Sequence, residues 1–378
     1  MFNWPLFFRL LFTSLSFERD SLHFISLRRL LVILIIVPFF LVHILINRIF
    51  MFLDWIFFPF FLKVKIDRPL FIIGVPRSAT TYLLEVMASD NRSFTSFRLW
   101  EIIFAPSIIQ KYFWCGVIWL DRRTGRPLFR LSRIYDKVVL GRITKIHRTG
   151  MTNAEEDEML LLYAFSSMYL NFIFPESPAI DEMIYFDSLN SPFRRKKIMN
   201  YYRRCVQRHL FVFGARGSKT FLSKNPCFIS KIESVAETFP DARLIYMLRS
   251  PLKTIPSLIS MNNNIQAILC SFRDPARMNV RSRDVAIRWY QDADMSLRKL
   301  ENRYLLVRFD DITKQPGKTL KEIYQYAELV PDERMVMRMT EEQKAAENYT
   351  STHKYNAKAG VDESVILEAL AGLHIRVE

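Results

Sequence analysis

Apolar positions fall into two regimes along this chain. From about residue 30 to residue 62 they are nearly continuous, after a start that mixes aromatics with scattered arginines, and from about residue 67 they come in short runs, the first ending in a glycine, the next ones in basic residues and the last in Asp310-Asp311. Leu70 to Ile73 is the first such run and predicts a buried strand; a helix from Thr80 to Ala88 follows. Ser93 to Ser96 predicts a second strand, Thr220 to Ser223 a third that ends at Lys224, Arg243 to Leu248 a fourth, and Tyr304 to Phe309 a fifth. Helical patterns lie between them at Ile229 to Phe239, after Pro251, at Asp284 to Leu300 and at Lys318 to Tyr326, with Pro256 bending or delaying the second of these. Strand and helix alternate, which predicts an α/β fold: a parallel sheet flanked by helices on both faces. Asn153 followed by Glu156 has the spacing of a capping box, so a helix is expected to start there. Arg194 to Arg208 has the pattern of a basic amphipathic helix.

The earlier regime has a different logic. Leu30 to Ile46 is a run of 17 residues without a charge. After Asn47 and Arg48 a second run extends from Ile49 to Leu62, interrupted by Asp54 and Pro59. A membrane span needs about 20 apolar residues, so neither run is long. No small-residue cleavage site follows, which argues against a secretory signal. Residues 1–66 are therefore expected to be an N-terminal hydrophobic segment that attaches the chain to a membrane through residues 30–62, ahead of a domain over 67–378. Arg28 and Arg29 before the runs, and Lys63 and Lys65 after them, put basic flanks on both sides. That fits a re-entrant hairpin turning near Asn47 and Arg48; a single span is the alternative.

Charge sharpens the picture. The formal net charge is +15 over 378 residues, which points to anionic partners such as a nucleotide or a membrane surface. Residues 122–148 hold nine Lys or Arg against one acid, Asp136; a solvated face or lipid headgroups are the first reading and an anionic acceptor the second. No module pairing aromatic and basic residues is visible, so nucleic acid is not expected as a partner. The four cysteines, Cys115, Cys205, Cys227 and Cys270, are far apart and offer neither a metal site nor a disulfide framework.

The loop after the first strand carries the chemistry. Gly74-Val75-Pro76-Arg77-Ser78-Ala79-Thr80-Thr81 leads from a strand into a helix N-terminus, where backbone N–H groups and the helix dipole favour an anion. Laid on the ATP-binding pattern G-x-x-x-x-G-K-[ST], Gly74 and Thr81 match the ends, while Ala79 and Thr80 replace the second glycine and the lysine. Arg77 supplies charge from another place in the loop. Such a loop suits an anion other than a nucleoside triphosphate. A P-loop kinase-like protein and a catalytically inactive membrane scaffold are the alternatives; the missing lysine speaks against the first.

Gly-x-Pro-Arg-Ser-Gly-Thr-Thr is the 5′-phosphosulfate loop of the PAPS-dependent sulfotransferases, and this loop resembles it with Ala79 in place of glycine. Arg249-Ser250-Pro251, with Ser257 eight residues beyond the arginine, resembles the 3′-phosphate motif of that family, where Arg-Asp-Pro is usual. Leu222-Ser223-Lys224-Asn225-Pro226 is similar to the Lys-Ser-Pro or Lys-Asp-Pro segment of the bacterial sulfotransferases and the tyrosylprotein sulfotransferases. The resemblance covers residues 67–378 in order and implies a P-loop-type sheet that binds PAPS and releases PAP without a metal. It implies that Arg77, Ser78, Ala79, Thr80 and Thr81 hold the 5′-phosphosulfate and that Arg249 and Ser257 hold the 3′-phosphate. Lys224 would face the bridging oxygen, and the acceptor would be a hydroxyl or amine; the resemblance does not name its carrier, and the expected membrane attachment points to a lipid, glycolipid or polysaccharide. The resemblance implies a domain in the cytoplasm if the source is bacterial, and in the Golgi lumen if eukaryotic.

Transfer also needs a base for the acceptor proton. Tyrosylprotein sulfotransferases carry a catalytic glutamate just after the second strand, which makes Glu101 the first candidate. Glu155 is the second and His147 the third.

Overall fold

The computed structural model describes residues 2–13, 26–138, 150–174, 177–269, 275–300, 303–347 and 362–375. Five parallel strands make one sheet: β1 (Leu70–Ile73), β2 (Phe94–Thr95), β3 (Thr220–Lys224), β4 (Arg243–Leu248) and β5 (Tyr304–Arg308), in the spatial order β2-β3-β1-β4-β5. The central pairings set Ile72 beside Lys224 on β3 and beside Ile245 on β4. All four residues of β1 are buried, as a strand covered on both faces requires. Its alternate side chains enter two cores. Phe71 and Ile73 join Phe221, Leu244 and Tyr246 on one face, and Leu70 and Ile72 join Leu222, Ile245 and Met247 on the other.

The helices that matter for the site start at strand ends. Thr80–Ala88 follows β1, Leu99–Phe104 follows β2, and Pro251–Leu269 follows β4. Pro256 lies inside that last helix, which begins at Pro251 without delay. Pro192–Phe213 lies beside β2, where His209 meets Thr95; Ile108–Arg123 packs on that helix, and Pro127–Val138 packs on Ile108–Arg123.

Two expectations are corrected. The chain does not turn at Asn47 and Arg48: a helix over Val37–Phe57 runs straight through them and continues the helical Ile33–Ile36 segment, giving one 25-residue apolar helix long enough to cross a membrane. No helix starts at Asn153 either. Residues 150–153 form a turn, with Asn153 N–H donating to Gly150 O at 2.9 Å, and 153–155 then run against 97–99: Leu99 N–H donates to Asn153 O at 3.2 Å, Glu155 N–H donates to Phe97 O at 3.0 Å, and Arg98 bridges Ala154. The two N–H groups that a capping box would serve are satisfied locally, Asn153 by Gly150 O and Glu156 by Glu155 Oε1, and a 3₁₀ segment begins only at Asp157–Ala164.

The apolar Val37–Phe57 helix lies on the sheet domain through one face. Asp54, which is fully buried, accepts hydrogen bonds from Ile108 N–H at 3.0 Å and Ile109 N–H at 3.2 Å, and pairs with Arg208 Nε at 2.7 Å. Gln110 Nε2 donates to Asn47 Oδ1 at 2.6 Å, and His43 Nε2 lies 3.1 Å from the Tyr163 hydroxyl. The opposite face carries exposed Phe39, Val42, Ile49, Phe52 and Ile56.

Candidate functional site

The C-terminal ends of β1, β3 and β4 meet at one edge of the sheet, where ligands of open α/β folds bind. Gly74 leaves β1 with φ 153°, and a Cβ there would sit 2.5 Å from Met247 O, so only glycine lets the loop pass β4 this closely. Arg77 (φ 80°) and Ala79 (φ 67°) are left-handed. Left-handed residues between right-handed ones turn successive N–H groups towards a common concavity, an anion nest at the start of the following helix. Ser78 is fully buried and its Oγ donates to Val75 O, which braces the loop; Thr80 is buried and Thr81 half-buried.

Residues far apart in sequence come together here. Arg77 Nε donates to Ser257 Oγ at 3.1 Å across a sequence separation of 180, and Arg249 Nη1 donates to Arg77 O at 2.8 Å. Burial, and then the charge of Arg249, hold the Arg77 guanidinium below its ordinary pKa. Two cations meeting in a partly dry place repel, and an anion between them would relieve both. Arg249 is steadied by the Phe309 ring, 4.3 Å from its guanidinium carbon, and its carbonyl accepts from the Tyr290 hydroxyl at 2.8 Å.

Lys224 ends β3 and is buried, with its ammonium against the carboxylate of Glu156, which also accepts from the Tyr169 hydroxyl. Glu155, Glu156, Asp157 and Glu158 are all buried, an acid-rich turn wrapped around the Lys224-Asn225 corner. Asn225 Nδ2 donates to Asp157 Oδ1 at 3.0 Å, and Tyr202 donates to Asp157 Oδ2 at 2.5 Å. Burial outweighs these bonds and pushes the Asp157 carboxyl up to about 7. Glu158 receives Met168 N–H at 2.8 Å and Lys231 Nζ at 3.4 Å. Glu156 had no place among the sequence-based candidates. Its acid-rich setting was visible, but its partner lies 68 residues away and only the fold joins them.

Glu101 lies on the helix after β2 and is held from two sides. His209 Nδ1 is 2.6 Å from its Oε1 and Lys111 Nζ 3.2 Å from the same oxygen. Burial pushes the Glu101 carboxyl up, but His209 and Lys111 together outweigh it and hold the group below its ordinary pKa. His209 Nε2 in turn lies 2.8 Å from Thr95 Oγ1. Glu101 and His209 line a cleft of about 750 Å³ with Ser96, Arg98, Trp100 and Phe213. Of the sequence-predicted site residues, only Glu101 lines this cleft; the phosphate loop, Lys224, Arg249 and Ser257 do not. Glu155 is buried, with its Oε1 taken by the Glu156 N–H at 3.1 Å. His147 lies outside the described residues. Among the described residues no group of three or more His, Cys, Asp and Glu side chains is placed to hold a metal ion.

A family model described as "Sulfotransferase family" matches residues 69–333. The omega-hydroxy-beta-dihydromenaquinone-9 sulfotransferases Stf3 of Mycobacterium bovis and Mycobacterium tuberculosis are each 25% identical over 266 residues, 69% of this chain. The matched stretch spans 62% of the length of these relatives. Among solved structures, sulfotransferase STF1 from Mycobacterium tuberculosis superposes with a TM-score of 0.73 at 18% identity, over 98% of this chain and 92% of that one. Sulfotransferase STF9 from Mycobacterium avium gives 0.72 at 17% identity, over 98% and 95%. At these identities the two structures speak to the fold.

Proposed function

Since the chain belongs to the sulfotransferase family, we propose that it uses PAPS as donor and sulfates a hydroxyl group of a membrane-borne lipid. The observation that carries the donor assignment is the meeting of Arg77, Arg249 and Ser257 beside a left-handed nest, which offers separate places for two anionic groups of one nucleotide. When bound, PAPS supplies the sulfuryl group and its own leaving phosphate. The nest formed by Arg77 to Thr81 binds the 5′ side, Arg249 and Ser257 the 3′-phosphate, and Lys224 stabilises charge growing on the leaving oxygen. Before then Lys224 is held and aimed by Glu156.

Glu101 is the proposed proton acceptor. His209 and Lys111 keep it ionised, as a base must be, and it is the candidate acid on the wall of an open cleft. β2 and β3 are paired neighbours, so the acid after β2 and the lysine ending β3 belong to adjacent places on the same edge. The lipid acceptor is supported by the exposed apolar face of the Val37–Phe57 helix and by the Stf3 relatives, which are named for a hydroxylated menaquinone.

Calorimetric titration of the full chain with PAP tests the donor site. Arg249→Ala and Ser257→Ala should each weaken binding, a charge-assisted contact being worth about 1.5–3 kcal/mol, or roughly 10- to 150-fold. Unchanged affinity in both variants overturns the assignment.

A further inference from the structure

We propose that this protein seats on one leaflet of an anionic bilayer, with its long apolar helix lying in the membrane plane rather than crossing it. The helix meets the length test for a span, but its contacts forbid one. His43, Asn47, Met51 and Asp54 all face the sheet domain, through Tyr163, Gln110, Arg208 and the start of the Ile108–Arg123 helix. His43 to Asp54 is about 17 Å of helix at 1.5 Å per residue. A helix perpendicular to the membrane would carry that length into the hydrocarbon, and with it the domain side chains it holds. Arg208 is part of this contact, and Lys111, paired with Glu101, follows in the helix whose first N–H groups Asp54 holds. What remains, Ile33 to Val42, covers about 15 Å, half of a hydrocarbon core of about 30 Å. Its outward stripe is instead continuous along the whole helix: Leu34, Phe39, Val42, Ile49, Phe52 and Ile56 are all exposed. That is the geometry of an interfacial helix, with one face on protein and one in lipid.

The same surface continues beyond the helix. Phe58, just past its end, lies 5.7 Å (ring centroids) from Tyr112, and the Ile108–Arg123 helix then exposes Phe113, Trp119 and Leu120. Pro127–Val138 follows it with no buried residue at all. Its exposed Leu128, Leu131, Ile134 and Val138 share one helical face, while Arg130, Arg133 and Lys137 share another. An apolar face with basic flanks matches anionic headgroups over acyl chains. A second copy of the chain would set these like charges against each other, so charge favours lipid as the occupant.

The test uses the full chain reconstituted into sealed phosphatidylcholine vesicles containing phosphatidylglycerol, in a Cys115→Ser, Cys270→Ser background. Ser26→Cys and Lys65→Cys flank the helix at its two ends. Both should react with a membrane-impermeant maleimide from the same side of the bilayer. A fluorophore on Ile134→Cys should be quenched by lipids brominated in their acyl chains, and should lose this quenching when phosphatidylglycerol is omitted. Protection of the Ser26→Cys site until the vesicles are opened, with Lys65→Cys reactive, would establish a span and overturn the proposal. An unquenched Ile134 label, or self-cross-linking through it, would overturn the lipid platform and favour a contact between copies. PAP binding plays no part in these readouts, so the membrane geometry and the sulfotransferase reading fail separately.

Discussion

Asp54 ties the apolar helix to the sheet domain, and its removal should show how far the two are one folding unit. The carboxylate is fully buried, as is its partner Arg208 at 2% exposure, and it also receives the Ile108 and Ile109 N–H groups that open the next helix. Arg208 is further fixed by Met51 O at 2.9 Å and by the Phe61 ring at 4.3 Å. Asp54→Leu leaves a buried guanidinium and two backbone donors without their acceptor. Breaking a buried pair from one side costs about 3–5 kcal/mol. At about 2–4 °C per kcal/mol for a domain of this order, the apparent melting temperature should fall by roughly 6–20 °C. The double variant Asp54→Leu/Arg208→Met removes both charges. It should regain much of the loss and keep only the cost of the uncapped donors, about 1–3 kcal/mol. Circular dichroism melts of the full chain in one detergent measure all three proteins. The same change should slow sulfate transfer, because Lys111, which holds Glu101, stands one turn into the helix that Asp54 caps. A single variant that melts within about 2 °C of wild type, or a double variant no better than the single, would refute the argument.

Three further outcomes follow from the site. Ala79 occupies a left-handed conformation where the loop pattern has glycine, so Ala79→Gly should raise stability by about 1 kcal/mol after the entropy of the unfolded glycine is counted; a lowered melting temperature would contradict this. Glu101→Gln should lower single-turnover transfer by ~10²–10⁴-fold with PAP affinity intact, whereas near-normal transfer combined with loss in Glu156→Gln would move the base to the acid on Lys224. Asp157 has a folded pKa of about 7 against an ordinary 3.8, so it favours the folded state fully below pH ~4 and this advantage disappears as pH rises to ~7. The difference is worth about 4 kcal/mol, and urea titrations across that range should show a decline that Asp157→Asn abolishes.

The sheet was legible because buried parallel strands are written as unbroken apolar runs. β1, β4 and β5 fall where such runs occur, β3 is marked by the shorter Phe221-Leu222 pair before Lys224, and the loop after β1 is marked by its own glycine and hydroxyls. β2 shrank to Phe94–Thr95, since only the part that pairs with Thr220 and Phe221 forms a ladder. The acids at 155–158 were misread for a deeper reason. Acids after an asparagine look like a helix start in any local reading, but here the backbone pairs with residues 97–100 and the side chains serve Lys224, Asn225 and Lys231. Neither set of partners is close in sequence, so no local pattern could have named them.

The N-terminal region teaches the opposite lesson, for its signal was present. Asn47 and Asp54 interrupt the apolar runs, and the first interruption, with Arg48, reads locally as a turn. With Ile44 and Met51 they are the four buried residues of the Val37–Phe57 helix, spaced at 3, 4 and 3 residues along a single face. Polar residues at helical spacing within an apolar run do not end the helix. They mark the side that meets protein, because Asn47 finds Gln110 and Asp54 finds Arg208 there. In a helix crossing lipid alone these positions would carry the cost of buried polar groups without partners. Set against a domain they give the helix one fixed rotation, and every apolar residue left on the other side is then turned outward.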